Sequence, residues 1–185
     1  MSFKGEHEWW NIHPAKFPNE HQSGIHGTDS PANDLFKGGN NKRYNFIKNQ
    51  VGNQFFPVSE KEIEEVESTL GLSFPNELRE FLIEVGYGFL KKSEYNINLI
   101  MGPASIRDAR LKVNDFEFYP DIEVYEELED GKLIFFEANE SALLLIDLSE
   151  EKNNSIYYDE IKIADSLEEF LKKVMEDDKY YIDMG

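Results

Sequence analysis

Apolar residues recur at helical spacing in three places along the chain. Ile63, Val66, Glu67 and Leu70 fall at i, i+3, i+4 and i+7, three of the four apolar, and Leu78, Phe81, Leu82 and Val85 repeat the pattern. Leu167, Phe170, Leu171 and Val174 give it a third time. The helix ends are marked too. Ser59 and Glu62 are spaced for a capping box, in which the hydroxyl accepts the Glu62 N–H and the carboxylate accepts the Ser59 N–H. Val58 and Ile63 occupy the positions of a hydrophobic staple. Gly71 closes the first helix, Pro75 suits the first position of the second, and Gly86 stops it. Two helices of about three turns with a short link predict a hairpin whose stripes face one core. Asp165 and Glu168 stand where the third helix needs its cap.

Between these helices the pattern turns strand-like. Residues 95–101 alternate and end at Gly102-Pro103, and residues 104–112 read as a short helix. After the Asp130-Gly131 turn signal, residues 132–137 and 141–148 are two apolar runs, read as a hairpin at the centre of a sheet. Residues 155–158 and 160–164 give two more short strands, and residues 176–185 read as a frayed acidic and aromatic tail. The expected fold is α+β: an antiparallel sheet of about five or six strands, with the helical hairpin and the C-terminal helix packed on it.

Residues 1–57 lack this order. Gly, Asn, Pro, His and Ser are frequent, Trp9 and Trp10 stand together, and all four histidines, His7, His13, His21 and His26, lie in the first 26 residues. Arg43, Tyr44, Phe46 and Ile47 suggest one ordered piece, a helical turn or an edge strand, docked on the core. The expected organisation is therefore an irregular leader, residues 1–57, partly docked, and a domain over residues 58–185.

The capped acidic helix, Leu70-Gly71-Leu72, Phe74-Pro75 and a second helix ending in Phe81-Leu82 with Gly86 four residues on form an ordered series. It continues through Leu133-Ile134-Phe135-Phe136, residues 142–147, Ser155-Ile156-Tyr157-Tyr158 and residues 163–171. This series resembles the SUKH superfamily, which contains fungal cell-wall-assembly regulators and many bacterial immunity proteins. It covers roughly residues 58–175, and its specificity lies in order and spacing together. The resemblance implies a non-catalytic protein-binding domain, above all an immunity protein that neutralises a cognate toxin, often a nuclease. The alternative it implies is an intracellular regulatory scaffold like the fungal relatives.

Charge sharpens that expectation. The net charge is −18, and it is unevenly placed: residues 1–57 hold six Lys or Arg against five Asp or Glu, and residues 58–185 hold 13 against 32. Such a domain repels nucleic acid and anionic lipid and speeds encounter with a basic protein, as a nuclease toxin would be. No stretch approaches 18 apolar residues and no signal pattern opens the chain, so a cytoplasmic protein without a membrane span is expected.

Candidate chemistry is sparse. There is no cysteine, and no histidine beyond the leader to activate a nucleophile. The histidine spacings of six, eight and five fit neither a helix-borne pair nor a finger. Neither a phosphate-cradling glycine loop nor an EF-hand loop is present. The expectation is no enzyme, no catalytic residues, no metal and no cofactor.

The candidate contact surface is residues 113–130, with eight carboxylates, no basic residue, and the aromatics Phe116, Phe118, Tyr119 and Tyr125 among them. Carboxylates steer a basic partner, and aromatics provide burial at the contact centre. Asp115, Glu117, Tyr119, Asp121, Glu123, Tyr125, Glu126 and Glu127 are the expected partner-binding residues. An alternating edge strand here would set Asp115 and Glu117 on one face and Phe116 and Phe118 on the other, making the two Phe core residues.

Overall fold

The structure is a computed structural model that describes residues 43–91, 96–120, 122–139, 142–149 and 154–182. All of them belong to one compact unit, Asn40–Gly185. The four histidines, Trp9, Trp10, Phe17 and Phe36 lie outside the described residues.

Among the described residues, seven strands form one antiparallel sheet in which every strand pairs with its neighbour in sequence. They are β1 (Gln54–Phe56), β2 (Tyr87–Phe89), β3 (Leu99–Ile100), β4 (Lys132–Asn139), β5 (Ala142–Asp147), β6 (Ile156–Tyr158) and β7 (Ile161–Ala164). The class is the expected α+β. The sheet exceeds the expected size because β1 and β2, short pieces beside the helical pair, join its edge. Gly86 and Gly88 make that pairing possible. A side chain at either would meet the backbone of β1, at 2.0 Å from the Phe56 carbonyl oxygen and 2.1 Å from that of Gln54, and both adopt positive φ. Gly86 ends a helix as expected, and the two residues after it open a strand.

Helices fill the connections. α1 (Asn45–Lys48) precedes the sheet, and α2 (Glu60–Leu70) and α3 (Asn76–Glu84) join β1 to β2. α4 (Pro103–Leu111) and α5 (Ile122–Leu128), with a 3-10 turn at Asn114–Phe116 between them, join β3 to β4, and α6 (Leu167–Glu176) follows β7. The capping box at Ser59 and Glu62 is formed, and Gly71 is the left-handed cap of α2. Pro75 is the N-cap of α3, one position earlier than expected. α2 and α3 share the core but lean on different neighbours, α2 on α4 and α3 on α6. They are linked by Glu67, which accepts from the Phe74 N–H and from Arg79, both at 2.7 Å. The cap of α6 is displaced by one residue from the expected pair: Ser166 accepts the Glu169 N–H, and the Glu169 carboxylate accepts the Asp165 N–H.

The core is centred on β4 and β5. Every residue of β5 is buried, and Leu133, Ile134, Phe135 and Phe136 of β4 are buried in succession, so both faces of this hairpin are covered. A register shift between Ile134 and Phe136 lets Phe135 and Phe136 both reach Phe170 of α6, with ring centroids 5.8 and 5.1 Å away. The tail that was expected to fray is docked as far as Tyr181, which is almost fully buried against Tyr158 and Tyr180.

Residues 43–56 are built into this body. Tyr44 and Ile47 are completely buried, and the Tyr44 ring meets Phe81 edge-on at 5.0 Å. The Tyr44 N–H donates to Glu84, and Lys48 donates to the Glu84 carbonyl. Arg43 reaches Glu77 of α3 and Glu168 of α6. Burial works against its charge, but these hydrogen bonds prevail and hold the guanidinium pKa above its ordinary value.

Candidate partner interface

The acidic stretch begins where α4 ends. Lys112 takes a left-handed conformation, its N–H capping α4 on the Asp108 and Ala109 carbonyls, and Asn114 is left-handed as well, its side-chain amide donating to Asp108 at 2.8 Å. Two reversals this close together exclude an extended strand. The chain instead makes the 3-10 turn and then α5, so the expected alternation of Asp115 and Glu117 against Phe116 and Phe118 does not occur.

What sets the inward side is a spacing of three. Phe116, Tyr119, Ile122, Tyr125 and Leu128 follow one another at that interval; Phe116, Ile122 and Tyr125 are buried, and Tyr119 and Leu128 pack half-buried on the core. Phe116 stacks on Tyr119 at 5.5 Å. The Tyr119 hydroxyl donates to the Asn139 carbonyl, and the Tyr125 hydroxyl accepts the Leu143 N–H at 3.0 Å, so the stretch is fastened to the central hairpin through its tyrosines. Those two residues, expected at a contact surface, serve the core.

The outward side carries the rest. Asp115, Glu117, Glu123, Glu126 and Glu127 are all exposed, and Asp121 lies outside the described residues. Glu123, Glu126, Glu127 and Asp130 stand at i, i+3, i+4 and i+7, which draws α5 and the turn after it into one acidic stripe. Lys112 binds Glu126 at 2.6 Å, and this hydrogen bond lowers the carboxyl pKa. At the end of the stretch Glu129 turns inward and lies 3.3 Å from Arg110; burial raises its pKa while Arg110 opposes the rise.

Two residues outside the expected partner-binding set lie on this outward side. Phe118 is 86% exposed and Val124 is 58% exposed, both beside the outward carboxylates. A period of three read along residues 116–128 finds them, because it puts Phe116 and Tyr125 inside and Phe118 and Val124 outside. The arrangement offers negative charge around exposed apolar groups, which suits binding a protein. Among the described residues no group of His, Asp and Glu is placed to hold a metal ion, and no helix is long and apolar enough to cross a membrane.

The sequence pattern of the SMI1 / KNR4 family (SUKH-1) matches residues 57–173, nearly two thirds of the chain, and the chain belongs to that family. Among its relatives is the Bacillus subtilis (strain 168) protein named immunity protein YxxD, 58% identical over 141 residues, which are 76% of this chain and 96% of that protein. A second match has a different character. The protein named toxin YxiD, of the same strain, is 80% identical over 41 residues, 22% of this chain and 7% of the toxin.

Proposed function

We propose that this chain is a bacterial immunity protein that binds and neutralises a toxin without catalysis of its own. The observation that carries the reading is the similarity to an immunity protein across nearly the whole of that relative. Charge supports it: residues 43–185 hold 15 Lys or Arg against 32 Asp or Glu, a balance suited to masking a basic surface. A nuclease has such a surface, because its substrate is polyanionic, and carboxylates on α5 and the turn before it would occupy the place of phosphates. The contact face is the outward side of residues 113–130, with Asp115, Glu117, Glu123 and Glu127 around Phe118 and Val124. A toxin met in the same cell places the protein in the cytoplasm.

The test is titration of the cognate toxin domain with the wild type and Phe118→Ala. Phe118 is too exposed to contribute to the core, so the variant keeps its unfolding midpoint, and loss of an anchor weakens binding by about 10- to 100-fold. Unchanged affinity moves the contact elsewhere on the body. No association between the wild type and the toxin removes the immunity reading itself.

A further inference from the structure

The two relatives and the extent of the folded body fit together. The match to the immunity protein is 141 residues long and the match to the toxin 41, lengths that laid side by side nearly fill the 185 residues of the chain. The family pattern occupies residues 57–173, and only 12 residues follow it. A stretch of 41 residues outside the family region therefore has room only ahead of it. The structure draws the line closer to the start: Tyr44 and Ile47 are fully buried and Gln54–Phe56 is in the sheet, so these residues belong to the compact unit, whose boundary lies at Gly39 and Asn40. Composition breaks at the same point. Residues 1–42 contain every histidine and both tryptophans, with four Lys against five Asp or Glu, while the strong negative charge is all in the remainder.

We infer that the chain joins sequence from both sides of a toxin and immunity pair, with the toxin-like stretch in residues 1–42 and the immunity body after it. The two parts keep different degrees of likeness, 80% for the stretch matched to the toxin and 58% for the stretch matched to the immunity protein. With four residues in five shared, the stretch is expected to serve in the toxin's own place. His7, His13, His21, His26, Trp9 and Trp10, all within residues 1–42, are then residues of the toxin side. Histidine suits proton transfer or phosphate contact near neutral pH, and tryptophan suits stacking on a base or burial at a contact.

The inference rests on the immunity reading only for its second arm. In the first arm, the matched 41 residues of the Bacillus subtilis toxin are replaced by their counterpart from this chain, and the chimera is expressed with no immunity protein present. The expected result is growth arrest equal to that of the unaltered toxin, with a scrambled insert inactive. An inactive chimera, misfolded or not, overturns the inference, because an equivalent segment folds and works in its counterpart's place. In the second arm, the full chain and the chain lacking residues 1–42 are compared for protection against that toxin and for unfolding midpoint. Equal protection and equal midpoints are expected; a truncated chain that stays folded but no longer protects assigns the leader to the immunity side and overturns the inference. Failure of both chains to protect counts against the immunity reading of the body, and the chimera still decides the leader.

Discussion

Residues 60–84 and residues 113–130 each hold eight carboxylates, and the fold uses the two sets differently. In the first set four are fasteners. Glu62 closes the capping box, Glu67 ties α2 to the start of α3, Glu84 holds the Tyr44 N–H, and Glu77 takes both Arg43 and, at 2.6 Å, the Leu167 N–H at the start of α6. In the second set Glu126 pairs with Lys112 and Glu129 with Arg110, while Glu117, Glu123 and Glu127 face water with no ion pair among the described residues. The difference lies in what surrounds the acids. Helix starts supply unpaired N–H groups and two arginines stand within reach of the first set, whereas the second contains no basic residue of its own. Acid count alone therefore says nothing about whether a carboxylate holds the fold or meets a partner.

The sharpest way to break this comparison is Glu77→Ala. Its side chain is only 14% exposed, and its loss leaves the Leu167 N–H without its acceptor and Arg43 without one of its partners. The expected cost is about 2 kcal/mol in denaturant unfolding. Glu64→Ala, which removes a long and exposed pair with Arg79 at 3.7 Å, is expected to stay within about 0.5 kcal/mol. Equal effects would mean that Glu77 is no more a fastener than any surface acid.

A smaller effect tests the first set through pH. The Ser59 hydroxyl and then its backbone N–H hold the Glu62 carboxyl below its ordinary value of 4.5 in the folded state. A carboxyl lowered by folding contributes stability that is present above its unfolded pKa and is lost as pH falls through the folded value. Ser59→Ala is expected to cost about 1 kcal/mol at neutral pH. Glu62→Gln is expected to flatten the loss of stability below about pH 4.5. Lys172 and Arg43 lower the Glu168 pKa, and Lys173 with the Asp165 N–H lowers that of Glu169, so both add to the same acid limb. An acid limb unchanged in Glu62→Gln would remove the box from the account.

Much of this was legible beforehand, for a physical reason. Three amphipathic stripes with marked ends, and two apolar runs flanking a turn, are local patterns whose burial the tertiary fold simply uses, so Ile63, Leu78, Phe136, Leu145 and Phe170 are all in the core as expected. β1 and β2 were not legible because three-residue strands carry too little alternation to be seen. The acidic stretch was misjudged in its detail because interleaved acids and aromatics look like period two. Its true period of three is carried by Phe116, Tyr119, Ile122, Tyr125 and Leu128, and the turn is forced by left-handed backbone at Asn114, a residue type that tolerates it, and at Lys112, a type that gives no sign of it. Within the stretch, Tyr119 and Tyr125 turn inward and Phe118 and Val124 outward, the reverse of what an alternating strand would give the two pairs.

The smallest expected effect on stability is the one that tests the second set most directly. Glu123→Gln with Glu127→Gln removes two exposed charges that take no ion pair among the described residues, and the unfolding free energy is expected to change by less than about 0.5 kcal/mol. If these acids steer a basic toxin, the association rate at low salt falls by several-fold, while dissociation, set by the buried anchors, is nearly constant. The difference between variant and wild type then shrinks as salt rises, because the Debye length drops to about 8 Å at 0.15 M and steering from a distance is screened. The same double change made at Glu64 and Glu65 of α2 removes equal charge from another part of the surface. If that control slows association as much as the first, the effect belongs to the net charge of −18 rather than to a face. A slowing confined to Glu123 and Glu127 makes the outward side of α5 the place where the partner arrives.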